Sequence, residues 1–271
     1  MSSCKPFVKW AGGKSQLLPE LTSRMPKDYG KYFEPFLGSG ALFFAVQPPS
    51  SCLSDNNQDL INAYTMVRDQ LEDLVENLSQ HPYEKEHYYA TRNVDREEEF
   101  ANWPPVQKAA RMIYLNKSCF NGLYRVNGKG QFNVPFGRYK NPTICDRNNL
   151  ARCSRALQSV ELRCDKFEAV EQLSSTGDFV YFDPPYAPVS ATSNFTAYQA
   201  GGFGVEHHEA LAQLCNRLDE KGVHFMVSNS FTDMAMELYK QHKVEVVSAA
   251  RTINSKGGGR GKVSELIVTN Y

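Results

Sequence analysis

Two consecutive prolines, Pro184 and Pro185, follow directly on an apolar, strand-forming run, Phe179-Val180-Tyr181-Phe182. Proline gives no N–H to a sheet ladder and fixes φ at about −65°, so a central strand ends here and the chain turns rigidly out of the sheet. An acid, Asp183, stands at the corner and an aromatic, Tyr186, just past it. The end of a buried strand is thereby made into a stiff platform for side chains, as expected at the carboxyl edge of an open α/β sheet.

That corner aims two oxygen acceptors, the Asp183 carboxylate and the Pro184 carbonyl, at one point. The Pro184 carbonyl has no Pro185 N–H beside it to compete. Two fixed acceptors suit a planar amine. The nitrogen of an aromatic amine is a poor nucleophile because its lone pair is delocalised into the ring. Acceptors on both N–H groups favour a pyramidal nitrogen and stabilise the positive charge that grows as it attacks an electrophilic methyl group. Tyr186 adds a face on which an extruded base can stack, worth ~1–3 kcal/mol. Acid, carbonyl and ring together are what an everted, amino-bearing nucleobase requires.

A second turn carries ligand chemistry. The extended run Lys31 to Phe36 ends in Gly38-Ser39-Gly40, and Ala41-Leu42-Phe43-Phe44-Ala45 resumes as an apolar helix. Glycines between strand and helix let a ligand approach the backbone. The third glycine of a dinucleotide fingerprint is missing and no Gly-Lys-Ser/Thr follows, so pyrophosphate and triphosphate are disfavoured and a nucleoside without phosphates fits better. Asp55, at the end of the next strand Cys52-Leu53-Ser54, is placed to accept bonds from two ribose hydroxyls.

Between these sites the apolar spacing of Leu60, Ile61, Tyr64, Val67, Leu71, Leu74, Val75 and Leu78 predicts one helix over Asp59 to Leu78, and a second runs from Val106 to Leu115. Asn116 to Pro142 is polar, glycine-bearing and aromatic, and reads as loops and a hairpin. Then come a helix over Leu150 to Leu157, a strand at Val160 to Leu162, a helix over Glu206 to Leu218, a strand over Val223 to Val227, a helix over Thr232 to Tyr239, and closing strands at Val244 to Val247 and Leu266 to Val268. The pattern is a Rossmann-like, mostly parallel α/β sheet built by residues 1–59 and 147–271, interrupted by a mainly helical insertion over residues 60–146.

Charge adds one clue. The formal net charge is zero, which by itself argues mildly against a nucleic-acid partner, but Lys108 to Lys166 is strongly biased to lysine and arginine, and one basic patch is compatible with neutrality. The seven cysteines are scattered without Cys-x-x-Cys pairs; neither a zinc site nor a disulfide framework is expected, and a reducing compartment is. No apolar run is long enough for a membrane span, so a soluble, cytoplasmic and monomeric protein is expected, with no metal.

Lys9-Trp10-Ala11-Gly12-Gly13-Lys14, Phe33-Glu34-Pro35-Phe36-Leu37-Gly38-Ser39-Gly40, Leu53-Ser54-Asp55-Asn56-Asn57 and Asp183-Pro184-Pro185-Tyr186, in this order, resemble the DNA adenine methylase (Dam) family of the α group of amino methyltransferases. The likeness extends through Leu115 to Arg125, Phe132 to Tyr139 and Ala187 to Tyr198. It implies a seven-stranded methyltransferase sheet with a helical target-recognition insertion, S-adenosylmethionine as methyl donor, double-stranded DNA as partner and GATC as the site. On matching positions, Trp10, Lys14, Asp55 and Asp183 are implied cofactor contacts, with Phe36, Gly38 and Gly40 as the pocket floor. In the insertion, Arg125 has the fork that reads guanine O6 and N7, Phe120 or Tyr124 is the ring that wedges where the adenine left, and Lys9, Asn121, Pro135, Arg138 and Tyr139 are further DNA contacts. The sequence departs from the family's commonest pattern at Phe120, where a tyrosine is usual, and at Tyr124, where a cysteine-like residue is usual. The glycine-rich, cationic stretch Arg251 to Lys262 is a second candidate for phosphate contacts.

Three other readings compete. Cytosine N4 methylation poses the same geometric problem, although Asp183, where cytosine enzymes more often have serine, favours adenine. A protein glutamine methyltransferase also sets Pro-Pro-Tyr against a planar amide, but the basic, aromatic insertion favours DNA. A DNA-binding homologue without catalysis is opposed by the intact Trp10, Asp55 and Asp183.

Overall fold

All four residues of Phe179–Phe182 are buried, and they divide between two apolar cores: Phe179 and Tyr181 face one, Val180 and Phe182 the other. Side chains of a strand alternate between faces, so a continuous apolar run marks a strand covered on both sides. The computed structural model describes residues 4–186, 203–250 and 262–271. It contains one seven-stranded sheet of β1 (Tyr32–Glu34), β2 (Ser51–Ser54), β3 (Val160–Arg163), β4 (Phe179–Phe182), β5 (His224–Ser230), β6 (Lys243–Ala250) and β7 (Lys262–Thr269), in the order β3-β2-β1-β4-β5-β7-β6. The first five strands are parallel, and β7 lies antiparallel between β5 and β6.

From β1 the chain winds outward through β2 to β3, then returns to the other side of β1 with β4. The order therefore reverses between β1 and β4, and a crevice opens beyond the carboxyl ends of these two strands. The turn at Gly38 and Gly40 leaves β1, the proline corner leaves β4, and Asp55 follows β2; all three sequence signals meet at this switch point.

The first core packs α1 (Leu18–Arg24), α2 (Ala41–Val46), α3 (Gln58–Asp69), α4 (Leu71–Ser79), α5 (Lys85–Asn93), α6 (Pro105–Ser118) and α7 (Arg147–Leu157) with one sheet face. The second holds α8 (Val170–Leu173), α9 (Val205–Glu220) and α10 (Asp233–Leu238) with the opposite one; Val170, Leu211, Leu214 and Tyr239 meet Val180, Phe182, Phe225 and Val227 there. The first core is continuous from the sheet into the insertion, with Tyr64, Tyr88, Ile113, Phe132 and Val134 in the same cluster as Tyr32 and Tyr181.

The expected helix over Asp59 to Leu78 is two helices. Gln70, at φ −134° and ψ 49°, leaves helical geometry and caps both α3 and α4. The apolar spacing hides the break because Leu60, Ile61, Tyr64 and Val67 before it, and Leu74, Val75 and Leu78 after it, enter one core. Helix α5 gives no apolar stripe in the sequence because it buries only Tyr88 and Thr91; Tyr88 Oη donates to the Val134 carbonyl at 2.8 Å. The expected hairpin is present as antiparallel bridges Cys119–Phe136 and Val126–Phe132, with the Asn127 carboxamide oxygen accepting from Lys129 N and Gln131 N in its turn.

Candidate functional site

A cavity of about 460 Å³ occupies the switch point, within the size of small-molecule sites. Trp10, Lys14, Phe36, Gly38, Asp55, Asp183, Pro184 and Tyr186 line it, so eight of the implied catalytic and cofactor positions share one space. Gly40 stands behind the wall instead. At φ +63° it closes the turn by donating its N–H to the Leu37 carbonyl at 2.7 Å, and a Cβ there would meet Tyr64 Oη at 2.9 Å. Gly38 is also left-handed, at φ +47°, and a Cβ on it would strike Trp10 Cδ1 at 2.9 Å, so the indole lies directly on the turn.

Asp55 ties this turn to the next strand. Gly38 N donates to its Oδ2 at 3.1 Å and Asn57 N to its Oδ1 at 3.0 Å. Burial pushes its carboxyl up to about 6, against the pull of the Gly38, Asn57 and Asn56 amides. Each oxygen keeps lone-pair capacity for a further donor.

At the other end, Asp183 Oδ1 takes an ion pair from Lys14 Nζ at 2.7 Å and a hydrogen bond from Ser228 Oγ at 3.0 Å. Burial raises its pKa, while the Lys14 charge and the Ser228 hydroxyl oppose the rise. Lys14 Nζ also donates to the Gly12 carbonyl at 2.8 Å and stands 4.1 Å from the centroid of the Tyr186 ring. The Tyr186 phenol in turn donates to Glu265 on β7. Beneath them Glu34, at the end of β1, is buried and accepts from Tyr32 Oη at 2.8 Å; burial lifts its carboxyl to about 8.

The side wall is aromatic. Phe36 stacks on Phe167 at 5.3 Å between centroids and meets Phe203 edge-on at 5.6 Å. Sequence reasoning passed over Phe167, Phe203, His207, Asp165, Ser228 and Glu265. Asp165 and Phe167 had a signal, since they follow the end of β3 as Asp55 follows β2; Ser228 likewise lies near the carboxyl end of a parallel strand.

The implied DNA residues gather around the end of α6. Phe120 there is 50% exposed, its N–H held by the Pro135 carbonyl at 2.8 Å, and Asn121 adopts φ +56°. Lys9 Nζ sits 4.3 Å from the centroid of the Tyr139 ring, and Tyr139 Oη donates to the Cys119 carbonyl at 3.0 Å. Arg125 Nε donates to Asn133 Oδ1 at 2.6 Å, which orients the guanidinium, and Arg138 is exposed. Tyr124 departs from the group. Its ring lines the cavity, stacked on Trp10 at 5.3 Å and 25°, and its phenol donates to Asp59 Oδ2 at 2.7 Å, so it is anchored away from the position of a free wedge.

The basic stretch is thinner than its composition. Arg111 is buried against Asp95 and the Thr91 and Arg92 carbonyls, Arg163 pairs with Glu161 and Asp165, and Arg147 pairs with Glu72. Arg111 serves the fold, Arg163 and Arg147 are neutralised in surface ion pairs, and Lys129, Arg138 and Lys140 are exposed on the hairpin side. Residues 187–198 of the resemblance and the cationic stretch 251–261 lie outside the described residues. Among the described residues no cluster of three or more His, Cys, Asp or Glu is arranged to hold a metal, all seven cysteines are free thiols, and no helix is long and apolar enough to cross a membrane.

The sequence profile of a family described as D12 class N6 adenine-specific DNA methyltransferase matches residues 10–253. The chain is 46% identical to a type II methyltransferase of Lactococcus lactis subsp. cremoris, with 98% of this chain and 95% of that one covered. It is 41% identical to a type II methyltransferase of Methanocaldococcus jannaschii, over 98% and 99%, and 36% identical to a DNA adenine methylase of Serratia marcescens, over 98% of each.

Proposed function

Because the chain belongs to the D12 class N6 adenine-specific DNA methyltransferases, we propose which residues carry out its methylation of adenine N6 in DNA, and at which sequence. The target adenine lies in GATC and leaves the duplex to be methylated. Residues 1–59 and 147–271 hold cofactor and chemistry, residues 60–146 recognise DNA, and the protein works as a monomer in the prokaryotic cytoplasm. The family is specific for adenine in DNA, which removes the cytosine and protein-amide readings.

The residues present suit S-adenosylmethionine. Left-handed Gly38 brings the backbone of the turn to the cavity, Asp55 offers acceptors to a diol, and Phe36 with Phe167 forms an apolar wall. Among the described residues the cations lining the cavity are Lys14 and Lys166, and neither follows the Gly38–Gly40 turn as a phosphate-binding lysine would, so the turn is not built for a pyrophosphate. When bound, this donor supplies an electrophilic methyl group on a sulfonium. Asp55 holds the ribose, Trp10 covers an apolar face, and Lys14 serves the methionine carboxylate.

Asp183 and the Pro184 carbonyl accept from the two N–H groups of the everted adenine, and Tyr186 stacks on its ring. The acceptors strengthen their hold as positive charge develops on nitrogen, which is the interaction that lowers the barrier. The excess proton leaves through the Asp183 carboxylate, whose proton affinity burial has raised. Phe120, half exposed at the end of α6, fills the gap in the stack. Arg125 reads guanine, while Lys9, Asn121, Pro135, Arg138 and Tyr139 hold the flanking backbone.

The observation that carries this reading is one cavity lined both by Asp55, just past the end of β2, and by Asp183 and Tyr186, just past the end of β4. The test is to incubate plasmid with protein and S-adenosylmethionine, then digest with a nuclease that GATC methylation blocks. Protected plasmid is expected. Full cleavage with 6-methyladenine found in another sequence rejects the site; full cleavage with no methyl incorporated, although cofactor binds, identifies a DNA-binding homologue without catalysis.

A further inference from the structure

Tyr124 belongs to the recognition segment by sequence and to the cofactor cavity by position. It precedes Arg125 directly, yet its ring stacks on Trp10 at 5.3 Å and lines the cavity, and Trp10 lies on the Gly38 turn. Its phenol donates to Asp59 in the first turn of α3, the helix whose N-cap is Asn57. Asn57 N in turn donates to Asp55. A second tether runs in parallel: the buried Asn116 carboxamide accepts from Lys9 N at 2.8 Å and donates to the carbonyls of Lys9 at 2.7 Å and Gly122 at 3.0 Å. A Cβ on Gly122 would lie 2.3 Å from Lys9 Cδ, so the Lys9 side chain lies directly on the Gly122 backbone.

Lys9–Trp10 and Gly122–Arg125 are therefore fastened together, and the fastening reaches the cavity wall at one ring. We propose that Tyr124 is a positioning residue that couples the cofactor cavity to the recognition segment. Packing of a ligand beneath Trp10 fixes the Trp10–Tyr124 stack, and the stack fixes the backbone that carries Arg125. Coupling of this kind is reciprocal: cognate DNA must tighten cofactor binding by the factor by which cofactor tightens cognate DNA. The inference rests on the cofactor and DNA surfaces proposed above.

The coupling is measured by calorimetry with S-adenosylhomocysteine, a cofactor form that cannot react, titrated into full-length protein alone, with a GATC duplex, and with a duplex changed at one base. In the native protein the GATC duplex is expected to tighten binding by roughly five-fold or more, and the changed duplex by less. Tyr124→Leu, which removes ring and hydroxyl, is expected to bring the GATC and changed-duplex values together. Asp59→Ala frees the phenol from an exposed helix start and supplies a variant that spares the core; it is expected to lower the ratio in the same direction. Tyr124→Phe keeps the stack and loses the phenol, so it is expected to match Asp59→Ala, with a partial loss smaller than that of Tyr124→Leu. A residue that merely supports the fold would weaken all titrations equally and leave the ratio unchanged. An unchanged ratio in Tyr124→Leu and Asp59→Ala, or no linkage in the native protein, overturns the coupling. Failure of S-adenosylhomocysteine to bind at all rejects the cofactor site itself, and the coupling with it.

Discussion

Lys14 Nζ lies 2.7 Å from Asp183 Oδ1, deep enough that only 6% of the lysine side chain meets solvent. A carboxylate in this position is costly unless an opposite charge accompanies it. Lys14 is the principal force holding the Asp183 carboxyl down against burial, with Ser228 second. In the proposed mechanism methyl transfer requires Asp183 ionised, so activity is expected to fall as pH drops through its pKa. Lys14→Met removes the opposing charge, and that acid limb is expected to move to higher pH. The profile is recorded in single turnovers at saturating cofactor, which separates the shift from weaker cofactor binding. A limb that stays in place removes Lys14 from control of Asp183.

Asp55 gives a second pH dependence with a different readout. Its carboxyl is raised from 3.8 to about 6 by burial. Raised in the folded state, it binds a proton that the unfolded chain has released, so between these values it contributes less stability as pH increases. Cofactor binding is expected to run the other way, because in the proposed site the ionised form accepts from the ribose hydroxyls. The rise in melting temperature produced by S-adenosylhomocysteine is therefore expected to grow from pH 5 to pH 7.5. Asp55→Ala is expected to flatten this dependence and weaken binding by ~10–100-fold, the worth of hydrogen bonds to a charged group. Native-like pH dependence in the variant excludes the assignment.

Which parts of this site could be read from the chain follows from how far their partners lie along it. Asp183-Pro184-Pro185-Tyr186, Gly38 and Asp55 each sit where a strand ends, and the rule that ligands gather at carboxyl ends needs only local pattern. Phe203 and Glu265 arrive by tertiary approach from residues whose own neighbours say nothing of a site, and the pairing of β5 with β7 is what sets Glu265 near the proline corner. Tyr124 is hard to place from the chain for the opposite reason: the resemblance puts it in the recognition segment beside Phe120, while its ring turns back onto Trp10. The charge count misled through Arg111, whose cation is consumed by Asp95 inside the fold.

Arg125 supplies a prediction about sequence discrimination. Asn133 holds its Nε through Oδ1 at 2.6 Å and Nη2 through its carbonyl at 3.4 Å, which orients the guanidinium and leaves Nη1 and the second Nη2 hydrogen for a base edge. Arg125→Lys keeps the charge and loses the fork, so nonspecific binding is expected to survive while discrimination at one base pair falls by ~1–3 kcal/mol. Duplexes substituted singly across GATC locate that pair. A uniform loss across all duplexes instead marks Arg125 as a phosphate contact.

The Tyr186 phenol donates to Glu265 while its face meets the Lys14 ammonium, so the ring is fixed at both edge and face before any base arrives. A ring already oriented spares the everted base the cost of ordering it. Glu265→Ala is expected to loosen Tyr186 and lower kcat by several-fold, with the loss bounded by the ~1–3 kcal/mol that stacking contributes. Glu265→Gln keeps an acceptor for the phenol and is expected to restore most of the rate. The two roles open to Glu265 differ in this rescue: a carboxylate needed for its charge is not replaced by glutamine, whereas one needed as an acceptor is. A duplex with 2-aminopurine at the target adenine reports the same distinction, since an unstacked base fluoresces more strongly. Brighter fluorescence is expected in Glu265→Ala, and native fluorescence in both variants would detach Glu265 from base stacking.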